Sequence, residues 1–443
     1  MKRLAYTKLI AWKNKEIRKP LVIRGARQVG KTWLIKEFGR TEFDSFAYVN
    51  CDANAIAAQL FEPDFDMRRI LRGLSAAAGV NIEPGKTLIF IDEIQEAPKA
   101  MASLKYFAEN APEYHVIAAG SLLGIHEHQD VSFPVGKIES LELYPMSFFE
   151  FVLAQEGKPL YEMLANDRLD LLSPLHTKLT ELLREYYFTG GMPEAVSAFV
   201  SGASPQEVRT IQKQILSDYR DDISKHAPPS QVPRIDQVWS SIPSQLSREK
   251  RKFAYANIKK GARAKEFEIA IQWLCDAGLV TKVNRVAKGQ LPLKFYEDFS
   301  AFKLFLLDCG LMGALCEAPA SQILIGDHAF TEYKGAFTEQ YVLEQLKTVL
   351  GASVFYLSAD DSTQELDFIF QNEERIVPVE VQGRENLRAK AMRIFCAQHP
   401  GTLGVRLSMS PYRVQDWMGN LPLYAAERIL EIFRQPTSAA GSP

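Results

Sequence analysis

Short apolar runs closed by glycine or polar residues alternate with amphipathic stretches through the first two hundred positions. That pattern predicts a parallel sheet covered by helices. Leu21-Val22-Ile23 runs into Arg24-Gly25, and Ser45–Asn50 reads as a second strand. Thr87-Leu88-Ile89-Phe90-Ile91 ends in Asp92-Glu93, and His115-Val116-Ile117-Ala118-Ala119 ends in Gly120-Ser121. Four apolar residues in a row at 88–91 describe a strand buried on both faces. Open α/β sheets bind ligands beyond the C-terminal ends of their strands. The polar residues that close these runs are therefore the first places to look for chemistry.

The first run leads into Gly25-Ala26-Arg27-Gln28-Val29-Gly30-Lys31-Thr32, and a helical stretch from Trp33 to Phe38 follows. Strand, Gly-x4-Gly-Lys-Thr and helix in that order form a phosphate-binding loop. The glycines let successive backbone N–H groups converge on one anion, and the helix adds the positive end of its dipole. Lys31 is expected to reach the outer phosphates and Thr32 to ligate magnesium, with residues 25–33 forming the nucleotide cradle. Asp92 is expected to hold magnesium through its water shell, and Glu93 to orient and deprotonate the attacking water. Ser121, at the tip of the strand expected beside the loop, is the candidate sensor of the γ-phosphate, although Gly-Ser after a strand also makes an ordinary turn. His126 and His128 read as a solvent-exposed pair in a loop, not as metal ligands.

Beyond residue 200 the periodicity changes. A helical connector occupies 201–233, with a Pro-rich break at Pro228-Pro229. Between 234 and 325 the pattern is helix (235–246), a short piece (253–258), helix (264–277), and two strands (278–283 and 291–296) around a turn at Gly289. This is the order of a winged helix. From Arg248 to Lys265 eight basic residues face one acid, Glu249. Lys250, Arg251, Lys259, Lys260 and Arg263 are the candidate contacts to nucleic-acid phosphates, against the alternative of a solvated basic face. From 326 to 435 the order is helix, three strands, helix, strand. It resembles restriction-endonuclease-like domains of the PD-(D/E)xK type. That resemblance implies a magnesium site with Asp367 on the central hairpin and Glu380 on the next strand. Glu339 on the first helix could complete it. Gln382 stands where such nucleases carry Lys, so the missing charge puts cleavage in doubt; Arg384, on the same strand face, is the candidate to compensate.

Composition narrows the setting. The chain has 443 residues, too many for one core, and a formal net charge of −2, so any nucleic-acid surface must be local. Five scattered cysteines without C-x-x-C spacing argue against a disulfide framework or zinc site and suit a cytoplasmic protein. The N-terminus lacks the apolar stretch of a signal peptide, and no run is long enough to span a membrane. Residues 436–443 read as a disordered tail.

The loop, Ile91-Asp92-Glu93-Ile94-Gln95, Leu143-Tyr144-Pro145-Met146-Ser147-Phe148 and Tyr187-Phe188-Thr189-Gly190-Gly191-Met192-Pro193-Glu194-Ala195 together resemble the AAA+ ATPase superfamily, and within it a widespread group of bacterial and archaeal ATPases. The resemblance implies strand order 5-1-4-3-2, a helical lid ending near Phe199, and Pro193 near the adenine. From its residues alone, Gly190–Pro193 reads as a helix stop and turn. Where the group carries Gly-Arg, this chain has Gly136-Lys137, which keeps the charge and loses the bidentate fork. Arg184, on the helix before the Gly190-Gly191 turn, is a candidate substitute.

The expected protein is thus α/β: an AAA+ domain with lid (1–200), a connector (201–233), a winged helix (234–325) and a restriction-endonuclease-like domain (326–435). Its expected function is magnesium-dependent ATP hydrolysis that moves the later domains, on DNA or another nucleic acid, with a homo-oligomer or a protein partner as further expectations. A slow nucleotide-gated switch and an ATP-gated nuclease are the alternatives.

Overall fold

The computed structural model describes residues 1–53, 59–121, 134, 136–248, 252–325, 334–351, 353–358, 365–382 and 390–433. The chain forms two compact units, one of residues 1–145 with 271–279, the other of 146–270 with 280–443. Helices 148–200, expected with the nucleotide domain, group with the second unit.

The first unit is built on five parallel strands: β1 (Leu21–Arg24), β2 (Ser45–Asn50), β3 (Thr87–Asp92), β4 (His115–Ala119) and β5 (Glu139–Glu142), in the order β2-β3-β4-β1-β5. This is the order the resemblance implied. Every residue of β3 and β4 is buried, as continuous apolar runs require of central parallel strands. Val22, Ile89, Ile91, Val116 and Ala118 pack with Ile70, Leu74, Leu104 and Phe107 from two covering helices, Met67–Ala78 and Pro98–Asn110. Because β4 pairs in parallel with both β1 and β3, the C-terminal ends of β1, β3 and β4 point the same way. The loop after β1, Asp92-Glu93 and Gly120-Ser121 therefore share one sheet edge.

The second unit holds helices from Phe148–Glu156 to Val232–Leu246 and a mixed eight-stranded sheet. Its strands are β6 (Val280–Val286), β7 (Glu297–Leu306), β8 (Val354–Ser358), β9 (Glu365–Asn372), β10 (Arg375–Gln382), β11 (Gly404–Ser408), β12 (Arg413–Val414) and β13 (Met418–Pro422). The order is β12-β13-β11-β10-β9-β8-β6-β7. The β6–β7 hairpin expected of a winged helix is joined to the C-terminal strands, with Arg285 paired to Tyr356 and Val286 to Leu357 in parallel. Its second strand begins at Glu297 and not at Leu291. Pro292 has no N–H to give a ladder, whereas Ala301–Leu306 supplies six consecutive buried residues. The elements at 334–349, 354–358, 365–372, 375–382, 390–398 and 404–408 lie within a few residues of the places the pattern predicts for them, 337–350, 353–357, 365–370, 376–381, 387–398 and 404–408. The last two strands and a kinked helical run, Leu423–Phe433, were not legible in the pattern. Among the described residues no helix is long and apolar enough to cross a membrane.

Candidate functional site

Local sequence shapes the loop after β1. Gly25 has φ +142°, and a Cβ there would lie 2.2 Å from the Leu143 carbonyl oxygen, so only glycine fits. Gly30 sits in the left-handed region at φ 93° and caps the helix Lys31–Glu42. Gln28 also takes a positive φ, 66°, a conformation that non-glycine residues keep only where surroundings enforce it. Ala26 and Val29 are buried, and Trp33 lies 47 % exposed on the outside of the helix. The Lys31 ammonium folds back onto the loop, donating to the Gly25 and Ala26 carbonyls at 2.8 Å each. Burial lowers its pKa to about 8, against the opposing pull of Glu93 and Asp92.

Sixty residues later in sequence, Asp92 meets this loop: Thr32 Oγ1 donates to Asp92 Oδ2 at 3.0 Å. Tyr48 donates to the same oxygen at 3.2 Å, and the Glu93 backbone N–H donates to Oδ1 at 3.2 Å. Burial, and then the neighbouring Glu93, raise the Asp92 carboxyl above its usual range. Glu93 itself has φ 48° and accepts from Gln95 Nε2 at 2.6 Å, so a left-handed turn and an amide fix its carboxylate. Ser121, two residues beyond β4, is 6 % exposed. A hydroxyl and a carboxylate oxygen one hydrogen bond apart are the donor set that suits a magnesium ion. Beside them lie a lysine and a loop whose glycine leaves no room for a Cβ, an arrangement that suits phosphates.

Three features escaped the sequence reading. Arg3, 7 % exposed, donates to the Val29 carbonyl from Nη1 and to the Tyr144 carbonyl from Nη2, each at 2.7 Å, and so braces the loop from behind. Gly278, also in the first unit, has φ +72°, and a Cβ there would lie 3.3 Å from the Ala26 nitrogen. Lys137 is engaged within its own unit, 2.8 Å from Glu109. None of these partners is near in sequence, and no motif marks them.

In the second unit the expected adenine-side turn is held by its own neighbours. Met146 N donates to the Gly191 carbonyl at 2.6 Å, and Gly191 N donates to Asp308 Oδ2 at 2.5 Å. A Cβ on Gly190 would lie 2.2 Å from Asp308, and one on Gly191 would lie 2.1 Å from the Met146 carbonyl. The two glycines therefore exist for close approach, and Pro193 opens the helix Pro193–Val200. Asp308 also caps the helix Cys309–Leu315 by accepting from Leu311 N at 2.8 Å. Its burial raises its pKa to about 6, opposed by those backbone donors. Asp308, Cys309 and Glu344 bring ligand atoms within 4.8 Å of one another. Both Asp308 oxygens serve backbone N–H groups, and Glu344 accepts from Gln340 at 2.8 Å, so the cluster has a structural account.

Of the basic run, Lys259, Lys260 and Arg263 are exposed ahead of the helix Ala264–Asp276, while Lys250 and Arg251 lie outside the described residues, as do Arg384, His126 and His128. The C-terminal carboxylates stand as follows. Asp367 Oδ2 accepts from Val381 N, and Glu380 Oε1 accepts from Gln382 Nε2, both at 2.7 Å. Burial raises the Glu380 carboxyl, opposed by Gln382 and Arg406. Glu339 is 1 % exposed and faces Lys303 at 3.7 Å. Among the described residues Glu339, Asp367 and Glu380 do not bring three ligand atoms within metal-binding spacing.

Residues 17–152 match the family model of the AAA domain, residues 180–322 that of a domain of unknown function (DUF8612), and residues 334–425 that of another (DUF4143). No curated protein matches the chain. Among solved structures, a Walker-type ATPase of Pyrococcus abyssi is 13% identical with a TM-score of 0.43, covering 70% of this chain and 94% of its own. The ORC1 protein of Aeropyrum pernix, solved in complex with DNA, is 15% identical with a TM-score of 0.30, covering 73% and 95%. The AAA match spans the residues that carry the loop and Asp92-Glu93.

Proposed function

We propose that the first unit binds ATP with magnesium and hydrolyses it to ADP and phosphate. The backbone N–H groups of residues 25–32 receive the phosphates, and the Lys31 ammonium exchanges the Gly25 and Ala26 carbonyls for the outer phosphate oxygens. Thr32 and Asp92 hold the metal, directly and through water. Magnesium, when bound, neutralises charge that develops on the phosphate oxygens. Glu93, steadied by Gln95, orients the attacking water and takes its proton, and Ser121 bonds to the γ-phosphate or that water. Pro193 lies against the adenine on this reading, and residues 148–200 act as the lid. Nucleotide state then moves the helices and sheet of the second unit, with Lys259, Lys260 and Arg263, together with Lys250 and Arg251, on nucleic acid.

One observation carries the proposal: the 3.0 Å hydrogen bond that joins Thr32 of the loop to Asp92 at the end of β3. Phosphate release from purified protein, with and without single- and double-stranded nucleic acid, is the test. Turnover no greater than that of Lys31→Ala would reject the hydrolase.

A second reading is favoured by Lys137, whose ammonium is paired with Glu109 where the resembling group has arginine. With Lys137 at that position the transferring phosphoryl lacks a bidentate fork from it, and on this reading the chain is a nucleotide-held switch. Bound nucleotide that survives purification, with turnover below about one per hour, selects the switch over the working hydrolase.

A further inference from the structure

Two carboxylates of the second unit, Glu339 and Glu365, share a buried cation. Lys303 lies in the buried row Ala301–Leu306 of β7 and is 0 % exposed. Its ammonium is 2.9 Å from Glu365 on β9, 3.7 Å from Glu339 on the helix Lys334–Val349, and 4.8 Å from the centre of the Tyr356 ring on β8. A lysine in an apolar row demands such compensation, because an unpaired charge without water is too costly to bury. Carboxylates on two elements and an aromatic face supply it here.

We propose that Lys303 is the resident cation of this cluster. Its ammonium supplies the positive charge that Glu339 and Glu365 require, fastens β7 to β9 and the helix Lys334–Val349, and leaves a divalent ion no place between those two carboxylates. The residues a metal would need are otherwise engaged. Glu339 faces Lys303, Asp367 receives the Val381 N–H, and Glu380 receives the Gln382 amide. Arg406, opposite Glu380 in the β10–β11 register, adds a second positive charge at the far end. Position 382 offers an amide where the nuclease pattern wants an ammonium. A divalent ion placed at Glu339 would meet Lys303 at close range in a medium that screens poorly. Burial of both Lys303 and Glu339 also denies a phosphate access to them.

The test is manganese binding by the full chain carrying Asp92→Asn, which silences the nucleotide site. Adding Asp367→Asn and Glu380→Gln is expected to leave manganese binding unchanged. Adding Lys303→Ala instead is expected to tighten it by about tenfold or more, and Glu339→Gln should then remove the gain. Manganese bound while Lys303 is present and lost with Asp367→Asn would overturn the proposal, as would nucleic-acid cleavage abolished by that change. If Lys303→Ala does not fold, Lys303→Met is compared with Lys303→Met plus Glu339→Gln. Recovery of folding in the double variant supports charge compensation, and equal failure of both refutes it.

Discussion

Arg3 is expected to govern nucleotide affinity although it cannot touch the nucleotide. Its guanidinium donates to the carbonyls of Val29, inside the loop, and Tyr144, at the strand-end that packs on Gly25. Each charge-assisted bond contributes roughly 1.5–3 kcal/mol. Arg3→Met therefore forfeits about 3–6 kcal/mol before water reaches the abandoned carbonyls, and a net loss of about 2–4 kcal/mol is expected. Part of that loss appears as a lower melting temperature of the first unit, by about 2–4 °C. The rest appears as a loop no longer held in its binding shape. ADP affinity should fall between about tenfold and a hundredfold, equivalent to roughly 1.4–2.8 kcal/mol. Titration of a fluorescent ADP analogue at a temperature where both proteins are folded measures this, with thermal unfolding followed in parallel. Arg3→Lys, with a single donor group, should fall between the two. Binding by Arg3→Met within about twofold of the parent, with the melting temperature lowered as expected, would show that the brace supports the fold and not the loop.

Gly25→Ala places a Cβ on the Leu143 carbonyl at a backbone angle that alanine rarely adopts. It should abolish nucleotide binding in calorimetry while the second unit keeps its unfolding transition, and retained affinity would refute the close-approach argument. Asp308, with its carboxyl raised to about 6, favours folding most while protonated. Its contribution is full below the ordinary Asp range and is lost as pH rises through about 6, so relative to Asp308→Asn the parent should lose roughly 3 kcal/mol between pH 3.5 and 7. Parallel stability–pH curves for the two proteins would contradict this. Reversing Lys259, Lys260 and Arg263 to Glu should weaken nucleic-acid binding and flatten its dependence on salt, by about one unit of slope for each phosphate no longer neutralised. Unchanged affinity would leave the basic run a solvated face.

Most of the first unit could be read from its pattern. Short apolar runs closed by glycine or polar residues suit central parallel strands, and Gly-x4-Gly-Lys-Thr at the end of one marks the turn that follows it. Asp92-Glu93 followed from the same rule. In the second unit, strands expected at 353–357, 365–370 and 376–381 formed at Val354–Ser358, Glu365–Asn372 and Arg375–Gln382, because alternation and turn residues are local signals. The second hairpin strand was misplaced because Leu291–Tyr296 is apolar in composition yet contains a proline, while the true strand is defined by burial against its neighbours. The Gly190-Gly191 turn was recognised as a helix stop, but its reason is a carboxylate more than a hundred positions away.

The division is physical. Periodicity and glycine geometry act over a few residues, so the pattern alone gave an α/β domain and marked Lys31, Thr32, Asp92 and Glu93 as residues to look for at one sheet edge. Charge compensation acts through space. Only the folded chain could bring Arg3 to Val29, tie Lys137 to Glu109, or bury Lys303 between Glu339 and Glu365. A buried charge is stable only where tertiary packing supplies its partner, and that partner's place in the chain follows no local rule.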